Sequence, residues 1–346
     1  MKLSEDIKLD FRDVLVKPIH SKLESRSEVN IQRTFKFKGL DYEWTGCPVT
    51  TSNMDTTGTF KMALELCKFN MLTCIHKHYS IEEWNDFYKE NAKIVEDLNK
   101  INNHIAISCG TSDSDFKKLQ EILGKYDIKF ICIDVANGYR DSFIEYVKKV
   151  RDLYPQKVII AGNVVTGEMV KIIIESGANI VKVGIGNGSA CSTRMKTGIG
   201  YPQFSAILEC HQHARDAGGY ILSDGGCSNP AEIVKAFGGG ADFVMCGGMF
   251  AGHLESGGEL VKDKDGNLFK EFYGMSSDTA MDKYAGGVAK YRTSEGLTMK
   301  IPYKGPVEKT LLDICGGIRS ACTYLNSRNL EELYDNIEFV KVNNIK

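Results

Sequence analysis

One cysteine stands apart from the other ten in the chain. Cys191 follows the run Val183-Gly-Ile-Gly-Asn-Gly-Ser-Ala and precedes Ser192, Thr193 and Arg194. A thiol with a hydroxyl two residues on and a cation beside it suits covalent catalysis, because the thiolate is the nucleophile and nearby positive charge favours it. Gly184, Gly186 and Gly188 alternate ahead of it and free the backbone to present its amides and carbonyls to a ligand. Taken alone, the loop reads about as well as a glycine-rich turn with an incidental cysteine.

A second set of chemical residues lies a hundred positions later. Gly274-Met275-Ser276-Ser277 and Tyr291-Arg292-Thr293-Ser294-Glu295-Gly296 fall in a segment rich in Gly, Lys and Tyr. Its glycines permit motion, so it is expected to close over a ligand as a lid, with Glu295 placed to reach the site. Lys283 and Lys290 read as solvated charge. His76 and His78 lack the third ligand a metal needs, and are expected to pack around Lys77. His211 and His213 read as solvated. The chain has no G-x-G-x-x-G, G-x-x-x-x-G-K-[ST], H-E-x-x-H or G-x-S-x-G motif.

Apolar runs able to position these residues recur at 47–51, 71–75, 104–108, 130–135, 158–161, 180–183, 220–223 and 243–246. Several are continuous rather than alternating, as in parallel strands covered on both faces. Helix-period segments separate them, at 59–69, 81–97, 113–123, 141–153, 166–176, 203–217 and 230–237, with a last one at 307–325. Eight such units in about 250 residues predict an α/β fold, a (β/α)8 TIM barrel, with a doubly wound open sheet as the alternative. The chain then reads as a single catalytic domain, 1–346. It has an N-terminal arm (1–44), a long active-site flap inserted after strand 8 (252–305) and a C-terminal tail (326–346). The flap shows no strand or helix run of barrel length.

Barrel active sites form from the loops at the C-terminal ends of the strands. Asp134-Val-Ala-Asn-Gly138, Ala161-Gly-Asn163, the cysteine loop, Ser223-Asp-Gly-Gly226 and Gly247-Gly-Met249 all fall there. Gly225, Gly226, Gly247 and Gly248 stand where barrels bind phosphate through backbone amides, and Asp224 could accept from ribose hydroxyls. Together they suggest a nucleoside monophosphate; two tight turns are the plainer alternative.

The 346 residues carry 43 basic and 45 acidic side chains, which gives no field to gather nucleic acid or anionic membrane. No apolar stretch approaches the roughly 20 residues that span a bilayer, and the first residues are too charged for a signal peptide. Scattered cysteines without a C-x-x-C fit free thiols in a reducing cytoplasm.

Taken together, these runs resemble the IMP dehydrogenase/GMP reductase family, on its GMP reductase side. The likeness includes Asp10-Phe-Arg-Asp-Val-Leu15, Ser52-Asn-Met-Asp-Thr56, Ile75-His-Lys-His-Tyr79, Ala161-Gly-Asn-Val-Val-Thr-Gly167 and Gly316-Gly-Ile-Arg-Ser320, and it covers nearly the whole chain. No segment has room for the paired regulatory domain that IMP dehydrogenases usually insert. The resemblance implies NADPH-dependent reductive deamination of GMP to IMP and ammonia through a covalent thioimidate on Cys191, in purine interconversion and salvage. It implies Cys191, Thr193 and Glu295 as catalytic residues. GMP or IMP would meet Asp224, Gly225, Gly226, Gly247, Gly248, Gly274–Ser276 and Arg292–Gly296. NADPH would meet Ser25, Arg26, Lys77, Asp134, Val135, Ala136, Ile185, Gly186, Met275, Tyr291, Arg292, Ser320, Ala321, Cys322 and Thr323. A potassium ion would meet Gly186, Gly188, Cys191 and Arg194. A cytoplasmic homotetramer is implied as well. IMP dehydrogenase-like oxidation of IMP with NAD, or a non-catalytic purine-nucleotide-binding barrel, are the alternatives. Asn187 stands where proline is usual and lifts a restraint on φ, so a looser loop is expected. Ser192 replaces a threonine, and Ala321 lacks the usual hydroxyl.

Overall fold

The computed structural model describes residues 3–92 and 98–343. Eight parallel strands form its centre: β1 (Glu43–Thr51), β2 (Met71–Ile75), β3 (Ile105–Cys109), β4 (Phe130–Asp134), β5 (Val158–Val164), β6 (Ile180–Val183), β7 (Tyr220–Asp224) and β8 (Phe243–Cys246). β8 pairs back onto β1 through Val244↔Val49, Met245↔Thr50 and Cys246↔Thr51. The sheet is therefore closed, a (β/α)8 barrel, and the open-sheet alternative falls away.

Helices follow each strand: α1 (Phe60–Lys68), α2 (Ile81–Asn91), α3 (Asp113–Lys125), α4 (Asp141–Leu153), α5 (Gly167–Glu175), α6 (Gln203–Ala217), α7 (Pro230–Gly238) and α8 (Glu308–Tyr324). Their starts are written locally. Ser80 and Glu83 form a capping box on α2, and Thr59, Ser112 and Asn229 accept from the third backbone amide of α1, α3 and α7. The expected helix at 81–97 ends at Asn91; positions 93–97 lie outside the described residues.

The strands are buried on both faces because two cores meet on them. One face packs on the helices. The other fills the barrel with Leu72, Cys74, Ala106, Phe130, Cys132, Val158, Ile160, Ile180, Leu222, Phe243 and Met245. The lower end is plugged by the arm. Arg33–Lys36 pairs antiparallel with the start of β1, and Phe35 stacks on Phe243 at 4.2 Å.

The flap is more regular than its composition predicts, and this corrects the expectation. Leu260–Lys262, Leu268–Tyr273 and Thr298–Pro302 form a three-stranded antiparallel sheet, and Asp278–Ala285 is a helix. Phe272 and Ala251 bury against Ala190 of the cysteine loop. Exposed Leu260 and Leu268 and the lysines interspersed in these short strands mask their period. No helix among the described residues is long and apolar enough to cross a membrane.

Candidate active site

The cysteine loop and the flap are zipped together around Cys191. Ser192 N–H donates to Glu295 O at 2.9 Å, and Leu297 N–H donates to Ala190 O at 2.8 Å. Cys191 and Gly296 thus face each other as an antiparallel bridge. The 274–277 turn closes the other side, with Glu295 N–H donating to Ser276 O at 3.0 Å and Gly274 N–H to Leu297 O at 3.1 Å. Only glycine fits at 296, since a side chain there would lie 2.7 Å from Ser277 N.

This closure brings three groups into line. The Cys191 thiol donates to Thr193 Oγ1 at 3.3 Å, and the Thr193 hydroxyl donates to Glu295 Oε2 at 2.8 Å. Cys191 is partly exposed, while the other ten cysteines are buried, and none of the eleven is in a disulfide. A thiol, a hydroxyl and a carboxylate in series can take a proton off sulfur and return it to a leaving group.

Arg194 does not serve the thiol. Its guanidinium donates to Tyr201 O at 2.6 Å and meets Asp10 Oδ2 at 3.4 Å. Asp10 Oδ1 in turn accepts from Gln203 N–H at the start of α6, so the arm braces the loop from outside. Asn187 does not loosen the loop, contrary to expectation. Its amide donates to Gln203 Oε1, and Gln203 Nε2 donates to Val183 O at 2.7 Å and to Ser223 Oγ at 3.0 Å. A side-chain tether does what a fixed φ would otherwise do. Ser192 is buried, and its hydroxyl has no partner among the described residues.

The candidate phosphate loops adjoin the cysteine loop. Gly225 has φ +89° and packs on the backbone of Asn187 and Gly188. A side chain at Gly248 would lie 2.9 Å from Ser189 Oγ, and one at Gly247 would lie 3.1 Å from Ser52 Oγ. Neither serine was expected in the site; the signal lay in Ser189 following the third loop glycine.

Inside the barrel mouth, Lys182 Nζ lies 2.9 Å from Asp134 Oδ1 and 3.1 Å from Asp224 Oδ2. Burial opposes ionisation of Asp134, but Lys182 and Asn53 outweigh it and hold its carboxyl below the usual range. Asn163 donates to Asp224 Oδ2 at 2.8 Å. Lys182 and Asn53 were missed as site residues, and Asn163 was placed at the mouth without a role. The signal was period-two alternation, which sets Lys182 on the same inward face as Ile180.

Lys283 stays exposed, as expected from its loop, but its ammonium also latches the flap. Asp55 Oδ2 accepts from Tyr273 and Tyr284 hydroxyls at 2.5 Å each and from Lys283 Nζ at 3.0 Å. His76 stacks on Tyr79 and His78 on Tyr284, so both imidazoles pack, but on tyrosines, while Lys77 between them pairs with Asp115. Burial holds His76 down at about 3 and His78 at about 4. His213 is exposed; His211 is half-buried and its Nε2 meets the Tyr334 hydroxyl at 3.1 Å. No group of three His, Cys, Asp or Glu able to hold a metal occurs among the described residues.

The expected cofactor residues do not all converge. Asp134–Ala136, Ile185, Gly186 and Met275 surround the mouth, and Tyr291 and Arg292 are exposed on the flap. Lys77 sits at the end of β2, paired with Asp115 at 3.1 Å. Ser25, Arg26 and Ser320–Thr323 lie at the opposite end. Ser320–Thr323 forms the last turn of α8, where Ile19 N–H donates to Tyr324 O and Asn30 N–H to Arg328 O. The 17 residues of α8 separate the two ends by about 25 Å.

Comparison with known proteins agrees with this architecture. Residues 8–345 match the IMP dehydrogenase / GMP reductase domain. Human GMP reductase 2 is 54% identical over 341 residues, covering 98% of this chain and 96% of the relative. The GMP reductase of Shigella boydii serotype 4 is 53% identical over 343 residues, covering 99% and 97%. That of Klebsiella pneumoniae subsp. pneumoniae is 54% identical over 344 residues, covering 99% and 97%. With a closed barrel, a cysteine loop at the end of β6 and a flap carrying an acid to the thiol, the chain belongs to the IMP dehydrogenase/GMP reductase family.

Proposed function

We propose that this chain is a GMP reductase that converts GMP and NADPH to IMP, ammonia and NADP. The observation that carries the reading is the series Cys191 Sγ, Thr193 Oγ1 and Glu295 Oε2, at 3.3 Å and 2.8 Å. The names of the relatives, at 53–54% identity over nearly the full length, support the choice of substrate.

Carbon 2 of guanine bears an amine, which leaves only when protonated. The Cys191 proton passes through Thr193 to Glu295, and the thiolate adds to carbon 2. The same carboxylate returns the proton through Thr193 to the amine. Ammonia departs, and a thioimidate remains on Cys191. NADPH, when bound, supplies a hydride to that carbon. Expulsion of the thiolate then frees IMP. Gly225, Gly226, Gly247 and Gly248 would hold the phosphate, and Asp224 the ribose. Gly274–Ser276 and Arg292–Gly296 would cover the base.

The residues fit a dinucleotide reaching the mouth past Asp134–Ala136, Ile185 and Gly186, under Met275, Tyr291 and Arg292. Lys77 can take the 2′-phosphate by exchanging Asp115 for it. Ser25, Arg26 and Ser320–Thr323 can touch a cofactor bound at Cys191 only in a neighbouring copy, which favours a homo-oligomer such as the tetramer that the resemblance implies. Neutral carbonyl oxygens suit a monovalent cation such as potassium. Those of Gly186, Gly188, Cys191 and Arg194 would hold it, although Gly188 O already accepts from Cys191 N–H and Arg194 O from Gly198 N–H. The enzyme would act in cytoplasmic purine salvage.

The test is to incubate the purified chain with GMP and NADPH and follow NADPH, ammonia and IMP. Equal amounts of NADPH lost and of both products gained are expected. Oxidation of IMP with NAD, and no reaction of GMP, would assign the opposite redox direction instead.

A further inference from the structure

β6 carries a lysine where a barrel interior normally carries an apolar side chain. Its inward face reads Ile180 then Lys182; β4 reads Cys132 then Asp134, and β7 reads Leu222 then Asp224. The top inward layer is therefore ionic. Lys182 is 1% exposed. Its three protons are matched by Asp134 Oδ1 at 2.9 Å, Asp224 Oδ2 at 3.1 Å and Asn53 Oδ1 at 3.4 Å. Gly162 makes room for it, since a side chain there would lie 2.6 Å from Lys182 Cβ. Asn53 Nδ2 braces Asp134 Oδ2 at 2.7 Å, and Asn163 Nδ2 braces Asp224 Oδ2 at 2.8 Å. Both donors to Asp224 use Oδ2, so Oδ1 keeps its lone pairs for ligand hydroxyls.

We propose that Lys182 is a positioning residue that couples the two ligand subsites, fixing the ribose-side carboxylate Asp224 against the cofactor-side carboxylate Asp134. The proposal rests on the GMP reductase reading for the names of those subsites. Two half-buried carboxylates without the ammonium between them would repel, and would move apart or share a proton. Either outcome shifts the nucleotide relative to the dinucleotide, and a misplacement of about 1 Å can cost about a hundredfold in rate. Arginine, a longer cation that can still bridge two carboxylates, should substitute in part.

The experiment compares Lys182→Met and Lys182→Arg in the full chain. GMP and NADPH binding are measured separately by calorimetry, turnover is measured with both, and folding is checked by thermal melting. Lys182→Met is expected to weaken both ligands about tenfold and to lower kcat about a hundredfold. Lys182→Arg is expected to recover at least a tenth of the parent kcat. A folded Lys182→Met chain with both affinities and kcat within twofold of the parent would overturn the proposal. If Lys182→Met fails to fold, Asp134→Asn replaces it, with GMP binding measured in the absence of cofactor. A change of threefold or more, across a carboxylate assigned to the other ligand, is expected, and an unchanged affinity would overturn the coupling. Parent turnover is measured first. Its absence would sink the functional reading, while the GMP-binding arm would still decide whether Lys182 links the two carboxylates.

Discussion

Thr193 and Glu295 are separated by 102 positions in the chain and by 2.8 Å in space. The hydroxyl belongs to the barrel and the carboxylate to the flap, so the proposed proton relay would exist only while the flap is docked. Coupling the proposed chemistry to closure in this way would keep water from a thiol-bound intermediate.

Glu295→Gln keeps the shape of the relay and removes its base. Ammonia release from GMP should slow by about 10²–10⁴-fold, the usual contribution of a positioned acid or base. The hydride half, probed with IMP and NADP in the reverse direction without ammonia, should suffer less. Equal damage to both halves would remove Glu295 from the role of proton donor.

Asp55→Asn should loosen the flap. Asp55 accepts from Tyr273, Tyr284 and Lys283, all on the flap, and bonds to a charged group contribute about 1.5–3 kcal/mol each. Burial opposes its ionisation, but those three donors hold its carboxyl below the usual range. The variant should be nicked by protease between 274 and 296 at least tenfold faster than the parent, and KM for GMP should rise. Unchanged cleavage would show that the zipper at Cys191 and Gly296 holds the flap alone.

Stability should fall as pH drops below about 6.5. His76 is buried neutral, with its pKa lowered to about 3 chiefly by burial, so the unfolded chain binds a proton that the folded chain refuses. Stability is therefore present above the unfolded value near 6.5 and is lost progressively toward the folded one. Between pH 7 and 5 this residue should cost about 2 kcal/mol. Denaturant melts should show the slope, and His76→Gln should flatten it. Equal slopes for parent and variant would mean that His76 is hydrated.

Arg26 and Cys191 occupy opposite ends of one barrel, yet the family resemblance assigns both to one reaction. Arg26→Ala should raise KM for NADPH roughly tenfold to a hundredfold, the loss of one charge-assisted bond. Coexpressed with Cys191→Ala, it should give mixed assemblies in which some sites regain the parent KM. No site with parent KM in such mixtures would place Arg26 outside the cofactor path.

The barrel was legible because its strands are apolar runs of even spacing, and the cysteine loop because a thiol, a hydroxyl and a cation follow three alternating glycines at the end of one of those runs. The flap was legible as a lid but not as a sheet. Thr298–Pro302 alternates half-buried and exposed residues, with lysine among the exposed ones, and its partner strand lies some thirty positions earlier. Lys182 was hidden by the same continuity that revealed its strand: a run read as apolar throughout conceals which face each residue takes. Arg26 and Lys77 could not be separated from the sequence, because distance along α8 appears only once the barrel closes.

Trapping the nucleotide on Cys191 tests the central claim most directly. The chain is incubated with GMP and oxidised NADP, quenched in acid, and digested for mass spectrometry. The peptide containing Cys191 is expected to gain the mass of GMP less ammonia, free ammonia to appear in equal amount, and Cys191→Ala to show neither while still binding GMP. Ammonia and IMP formed at near-parent rate by Cys191→Ala with NADPH, with no adduct on the parent, would contradict the claim.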